Sequence, residues 1–331
     1  LLSDTNFWSD NDLVVQTSSM YGGAPRARAA SFLLNQGGAV SHFSYFSNER
    51  TAMAIVEGLM LDEPKDFATI GPLSWEGRDA GGRRGGVSDI PAAQKPAVIV
   101  LPGILGSNLK AGDRRIWLGP WLINGLDELA YIQDVPDDVQ PDGAVGLVYD
   151  DLISYLSATH EVIEFAYDWR LPMKREAQRL GNAVENALAA RSKTRQPVRM
   201  LAHSMGGLLA RTMLLECPQV WARMMADPHA RLLMLGTPNG GSWAPMQVLS
   251  GDDSFGNSLA FAGAPFSPQN SRALMATFPG FIQLQANLLD PVLKLAETAV
   301  WADLANQDHQ WLKEHSFWHN LRIQQDYYKW G

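Results

Sequence analysis

Ser204 stands in the run Ala202-His203-Ser204-Met205-Gly206-Gly207, between an apolar stretch, Val198 to Ala202, and a helix-prone one, Leu208 to Leu215. A serine at a tight strand-to-helix turn projects its hydroxyl from the carboxyl end of a sheet, beside unpaired first-turn N–H groups and the positive end of the helix dipole. That environment suits nucleophilic attack on an acyl carbon. The usual pattern is Gly-x-Ser-x-Gly. Here Ala202 replaces the first glycine and, being small, still lets the turn close, as do Gly206 and Gly207. The competing reading is an ordinary helix N-cap serine.

Acyl transfer also needs two backbone N–H donors aimed at the developing oxyanion. The residue after the nucleophile, Met205, supplies one in a strand–turn–helix arrangement of this kind. The second is expected from the loop Leu101-Pro102-Gly103-Ile104-Leu105-Gly106-Ser107, where Ile104 is best placed. Pro-Gly alone is also a plain turn; two motifs in the expected order carry the weight.

Positioning these groups requires a sheet. Ala97 to Leu101 is a short apolar run closed by Pro102-Gly103, the pattern of a buried parallel strand, and Val162 to Tyr167, Val198 to Ala202 and Leu232 to Leu235 repeat it. Between them lie helical stretches, the clearest over 173–191, where Ala177, Leu180, Val184 and Leu188 share one face. Alternating strand and helix predict an α/β fold with a mostly parallel, doubly wound sheet. Residues 62–95 read as an exposed linker, with Gly81-Gly82-Arg83-Arg84-Gly85-Gly86 at its centre. Residues 246–331 read as a lid or cap with a C-terminal helical region. The Gly/Pro-rich 240–300 stretch carries Trp243, Phe255, Phe261, Phe266, Phe278 and Phe281, too aromatic for a linker.

Four blocks, Pro102 to Ser107, Tyr167-Asp168-Trp169-Arg170, Ala202 to Gly207, and Gly236-Thr237-Pro238-Asn239-Gly240-Gly241-Ser242, follow one another in an order that resembles the lecithin:cholesterol acyltransferase-like family of α/β-hydrolases. The resemblance covers well over half the chain. It implies a serine nucleophile acting on acyl esters, most often lipids, with water or an alcohol as acceptor. No cofactor or metal is implied. Leu105, Trp169 and Trp243 are the expected substrate contacts. Asp168 and Arg170 read as a structural ion pair, and His203 as a residue packed behind the elbow.

The chain departs from the family in the order of its triad. Acid and histidine ordinarily follow the serine. After Ser204 the chain offers only His229 and then His309, His315 and His319, the last three in a polar-aromatic stretch without a preceding strand. The matching pieces lie at the other end. Asp10 to Ser19 resembles the segment carrying the family's catalytic acid, with Asp12 fitting best. Val40 to Phe46, followed by a helical run over 48–61, resembles its histidine loop, with His42 as the base. A triad is defined by geometry and sets no requirement on chain order. Two architectures explain the order: a circularly permuted hydrolase, or a fragment of a tandem protein, which a start at Leu1 without Met would suit. Residues 1–61 are then the acid and histidine segment and 96–245 the core. For His42 the competing reading is an ordinary loop histidine.

Composition bounds the partners. The chain has 331 residues, 46% hydrophobic and 19% charged, which excludes a disordered or low-complexity class. Lys plus Arg number 27 against 35 Asp plus Glu, a net charge of −8 that argues against nucleic acid as a partner. An apolar ester substrate is expected, with transient contact to a lipid surface. The single cysteine, Cys217, leans toward a reducing compartment without fixing one. Besides hydrolysis, two outcomes stay open: acyl transfer to an alcohol through the same triad, and a binding scaffold in which the histidine never serves Ser204.

Overall fold

The computed structural model describes residues 15, 17–21, 30–35, 40–42, 44–70, 94–117, 126–132, 135–250, 273–286, 291–295, 297 and 299–300. Within them the elements, in chain order, are α1 (Thr17–Tyr21), β1 (Ala30–Phe32), α2 (Glu49–Met60), β2 (Ala68–Ile70), β3 (Ala97–Leu101), β4 (Ser107–Ala111), β5 (Arg114–Arg115), β6 (Val139–Ala144), α3 (Gly146–Ser157), β7 (Glu161–Glu164), α4 (Met173–Ala190), β8 (Val198–His203), α5 (Met205–Glu216), α6 (Pro218–Met225), β9 (Leu232–Leu235), α7 (Ala244–Ser250) and α8 (Pro279–Ile282). Single 3-10 turns lie at Tyr45–Ser47 and Leu126–Leu129. The chain divides into two compact units: Leu1–Ser107 with Asp142–Tyr167 and Met173–Gly240, and Asn108–Pro141 with Asp168–Pro172 and Gly241–Gly331.

The first unit holds a four-stranded parallel sheet in the order β7-β3-β8-β9. Its register aligns Val98 with Val162 on one side and with Arg199 on the other, and Leu201 with Leu233. The fold is α/β, as the alternation of apolar runs predicts. β3 and β8 are buried at every position because both of their faces are covered, which is why β3 reads as an unbroken apolar run and β8 as one interrupted only by Arg199 before it ends on His203. On one face Val98, Val100 and Leu201 meet Ile55 and Leu59 of α2 and Tyr149, Leu152 and Leu156 of α3. α5 approaches the other face: a Cβ on its Gly206 would fall 2.9 Å from Leu101 Cβ. Helix α2 is capped by Asn48, whose side chain accepts from the Thr51 N–H. The N-terminal segment thereby contributes two core residues to the sheet.

Two expectations shift. The strand expected over Val162 to Tyr167 is Glu161–Glu164. Beyond it the Tyr167 N–H turns to the Ser107 hydroxyl, 3.1 Å, so the backbone leaves the ladder with its donor satisfied. Residues 68–70, read as the start of a linker, form β2 and pair antiparallel with β1, Ser31 opposite Thr69. The Phe67-Ala68-Thr69-Ile70 run has enough β-prone side chains to pair despite the polar residues before it. The rest of that stretch, 71–93, lies outside the described residues, as do His309, His315 and His319.

The second unit contains the last three residues of the Tyr-Asp-Trp-Arg block, Asp168, Trp169 and Arg170. The Arg170 guanidinium is buried and gives Nε to Asp168 Oδ1 at 3.0 Å, Nη2 to Asp168 Oδ2 at 2.7 Å and Asp137 Oδ2 at 2.9 Å, and Nη1 to the Leu129 carbonyl at 3.0 Å. A buried charge needs such pairing. The expected ion pair is therefore a network that ties three segments together. Among the described residues, no helix is long and apolar enough to cross a membrane.

A buried histidine at the amino-terminal end of the sheet makes stability depend on pH. His160 Nε2 accepts from Arg199 Nη1 at 3.0 Å, and its Nδ1 meets the Thr159 hydroxyl at 2.8 Å. Burial first, and then the Arg199 charge, lower its pKa to about 4. As pH falls below about 6.5 the unfolded chain takes a proton that the folded one refuses, so stability drops across the window from about 6.5 to about 4 and levels off beneath it. Urea unfolding midpoints measured between pH 7.5 and 5 should fall steadily in the parent, with a ceiling of about 3 kcal/mol for the whole window, and fall less in His160→Gln.

Candidate active site

Ser204 occupies the single residue between β8 and α5, with φ 52° and ψ −123°. A non-glycine residue in this region carries about 1–3 kcal/mol of strain and persists only where its surroundings over-determine it. Two backbone bonds do so: the Ser204 N–H donates to the Leu235 carbonyl at 2.8 Å, and the Gly207 N–H to the Ser204 carbonyl at 3.0 Å. The glycines after the serine are required by contact. A Cβ at Gly206 would lie 2.5 Å from the Leu101 carbonyl oxygen, and one at Gly207 would lie 2.1 Å from Thr237 Oγ1. Helix α5 therefore starts directly on the strand ends, and Ala202, fully buried beneath it, leaves room for the turn.

The loop after β3 lies against this elbow. The Gly106 N–H donates to the Gly103 carbonyl at 3.0 Å, closing a β-turn in which Leu105, at the third position, takes φ 61°. That is the site where a type II turn favours glycine. Gly103 lies against Ser204: a Cβ there would stand 3.0 Å from Ser204 Cβ and 3.3 Å from His203 Nδ1. Met205 is buried at the first position of α5, where its N–H has no carbonyl within the helix to bond. Ile104 is half-buried at the second position of the β-turn.

His42 is brought to the elbow although 161 residues separate it from His203. Its ring centroid lies 4.8 Å from that of His203, and its carbonyl sits 3.1 Å from His203 Nε2. His42 is 4% exposed and Ser204 also 4%. Asp12 lies outside the described residues. His203 does pack behind the elbow, but with both ring nitrogens engaged: its Nδ1 lies 2.8 Å from the Tyr149 hydroxyl. Tyr149 escaped the sequence reading because nothing local marks it. It is one apolar position of α3, and its polar partners, Gly103 and His203, are 46 and 54 residues away.

The three expected substrate contacts fare differently. Leu105 is half-buried in the turn beside Ser204. Trp243 is half-buried in the second unit, next to Ser242, which pairs with Gln285. Trp169 is 0% exposed, set edge-to-face between Trp117 at 5.4 Å and Phe278 at 5.5 Å. Both contacts are the tilted edge-to-face kind that aromatic rings prefer, and the ring is fully buried within the second unit. Among the described residues no cluster of three or more His, Cys, Asp or Glu is arranged to hold a metal ion.

The sequence profile of the lecithin:cholesterol acyltransferase family matches residues 149–326, more than half of the chain. The chain belongs to this family. The match takes in Tyr149, the Tyr167 to Arg170 block and the elbow at Ser204, whereas Ile104 and His42 precede it. The phosphatidylcholine-sterol acyltransferase of rat (Rattus norvegicus) is 32% identical over 130 residues, 38% of this chain and 28% of that protein. The human protein of the same name is 40% identical over 93 residues, 27% of this chain and 20% of its own length, and that of rabbit (Oryctolagus cuniculus) 38% over 93 residues. The aligned part is thus between a fifth and little more than a quarter of each relative. The parallel sheet flanked by helices is the α/β-hydrolase-like core of the family.

The contact between Gly207 and Thr237 can be tested directly. Gly207→Ala should lower stability by about 1–3 kcal/mol through overpacking, read as a drop in urea midpoint at unchanged slope. Adding Thr237→Ala, which removes the two closest atoms, should recover part of that loss.

Proposed function

We propose that the chain is a serine hydrolase that cleaves carboxylic esters, lipid acyl esters among them, through an acyl-enzyme on Ser204. The observation that carries the reading is the strained backbone of Ser204, at φ 52° and ψ −123°, held between a buried strand and a helix N-terminus with the Gly103 loop against it. A serine that served only as an N-cap would sit in ordinary extended backbone and bond the first-turn N–H groups with its side chain. The Ser204 side chain makes no such capping bond.

In this reading the Ser204 hydroxyl oxygen attacks the ester carbonyl while the His42 imidazole takes its proton, and the Ile104 and Met205 N–H groups receive the oxyanion. Collapse of the tetrahedral intermediate breaks the bond to the leaving alcohol, which takes the proton from His42. Asp12 orients the imidazole. Water then attacks the acyl-enzyme with the same residues in reverse. Residues 1–61 supply acid and base, 96–245 the core, and 246–331 the lid. Leu105, Trp169 and Trp243 are the candidates for acyl contact. The lipid part of the reading leans on family membership and on the phosphatidylcholine and sterol in the names of the relatives. The same names favour a second outcome at the same site, transfer of the acyl group to an alcohol instead of water.

Fluorophosphonate labelling of the purified chain tests the chemistry. The parent should label, Ser204→Ala should not, and His42→Ala should label and turn over p-nitrophenyl esters at least about a thousand-fold more slowly. A folded parent that fails to label would leave a binding scaffold as the reading. With an active parent, addition of a long-chain alcohol during turnover of a labelled acyl ester separates the two outcomes. Free acid alone marks a hydrolase, and a rising share of new ester a transferase.

A further inference from the structure

Two buried residues with no assigned part in the reaction, Tyr149 and His203, join both sides of the elbow. The Gly103 N–H meets the Tyr149 hydroxyl oxygen at 2.8 Å, that hydroxyl meets His203 Nδ1 at 2.8 Å, and His203 Nε2 meets the His42 carbonyl at 3.1 Å. Tyr149 is 1% exposed and His203 5%. The two ends of this chain fix its direction. A backbone N–H only donates, so the Tyr149 oxygen accepts from Gly103 and its own proton is free for His203 Nδ1. A carbonyl only accepts, so the proton of His203 must sit on Nε2. One neutral tautomer satisfies all three bonds. A second proton on Nδ1 would turn a donor toward the Tyr149 hydroxyl and displace that hydroxyl's own proton from its acceptor.

The surroundings support the same state. His203 is enclosed by the rings of His42 at 4.8 Å, Phe46 at 5.1 Å, and Tyr45 and Tyr149 at 6.0 Å each. Such an enclosure keeps water from competing for the bonds and strengthens them. Burial pushes the Tyr149 phenol well above its ordinary value, against the opposing pull of the Gly103 N–H, so it keeps the proton it must donate.

We propose that Tyr149 and His203 are positioning residues, a one-directional hydrogen-bond relay that ties the oxyanion loop at Gly103 to the base loop at His42 with His203 held as the neutral Nε2–H tautomer. The kinetic consequence rests on the serine-hydrolase reading; the relay itself does not. Neither residue, in this reading, touches the substrate. They fix the two loops that do, and loops presenting a donor and a base to one carbon must agree to a fraction of an ångström. A misplacement of about 1 Å is enough to lose about a hundred-fold in rate.

Tyr149→Phe removes one oxygen and keeps the ring that packs at 5.3 Å from Phe46. In this variant kcat on a soluble p-nitrophenyl ester should fall about ten- to a hundred-fold, with KM changed less than about two-fold. Fluorophosphonate labelling of Ser204 should slow by a like factor while the fold is retained. The independent arm is spectroscopic. In 15N-histidine-labelled parent protein at neutral pH, the imidazole signals lost in His203→Gln should show a proton on Nε2 and an unprotonated, hydrogen-bonded Nδ1. Removal of the Tyr149 hydroxyl should move the Nδ1 signal. Unchanged kcat and labelling in a folded Tyr149→Phe would overturn the proposal, as would a parent spectrum with His203 protonated on Nδ1. A parent that shows the Nε2–H signature yet neither labels nor turns over ester would retain the relay and sink the hydrolase reading alone. Should Tyr149→Phe fail to fold, the parent spectrum decides.

Discussion

Ser204 is held where its backbone would not choose to be, and much of the first unit follows from that constraint. A left-handed residue between a strand and a helix lets the chain reverse within one residue, so the helix axis starts almost on top of the strand end. Every neighbour of the turn must then be small or already bonded. Gly206 and Gly207 accept the Leu101 carbonyl and Thr237 at distances no side chain tolerates. The Leu235 carbonyl, at the end of β9, takes the Ser204 N–H. The strain is thus borne by the two strands on either side, β3 and β9, whose burial is continuous with the core of the unit.

What the sequence made legible is what short-range pattern encodes. β3 and β9 are unbroken apolar runs and β8 is broken only by Arg199 before it ends on His203, as expected of strands in a parallel sheet with helices on its faces. α4 is a long amphipathic stretch with its apolar residues on one face. The elbow was readable because its glycines are steric necessities adjacent in the chain. The sheet of β5, β4 and β6 was not, since β6 runs Val139-Gln140-Pro141-Asp142-Gly143-Ala144 and β5 is two exposed arginines. Such strands pair without a burial pattern that could announce them. The packing of Trp169 was equally hidden. Trp117 and Phe278, which meet its ring edge-to-face, come from positions 52 residues before and 109 after, beyond the reach of any local signal.

Tyr149 belongs to the same class of long-range effect. One hydroxyl joins segments that the chain separates by dozens of residues, and the sequence presents it as one more apolar position of a helix. The physical signature that finds it is a count of donors and acceptors in a buried place. Each polar atom from the Gly103 N–H to the His42 carbonyl meets a partner of the right kind, and only one assignment of protons satisfies all three bonds.

That count bears on the unusual order of the chain, in which the proposed base precedes the proposed nucleophile. Two features deliver His42 to the elbow, and neither depends on order. Helix α2 anchors the segment by placing Ile55 and Leu59 in the cluster shared with Val98, Val100 and Leu201. The loop before it is then fixed by its own backbone, through the His42 carbonyl on His203 Nε2. An anchor of buried apolar area supplies affinity without direction, whereas a hydrogen bond supplies direction with little net stability. Joined in sequence within about twenty residues, they place a side chain as well as a continuous strand would. On the proposed assignment of Ser204 and His42, a core that carries such a pair accepts its histidine from before the serine because the carbonyl of His42 finds the ring of His203.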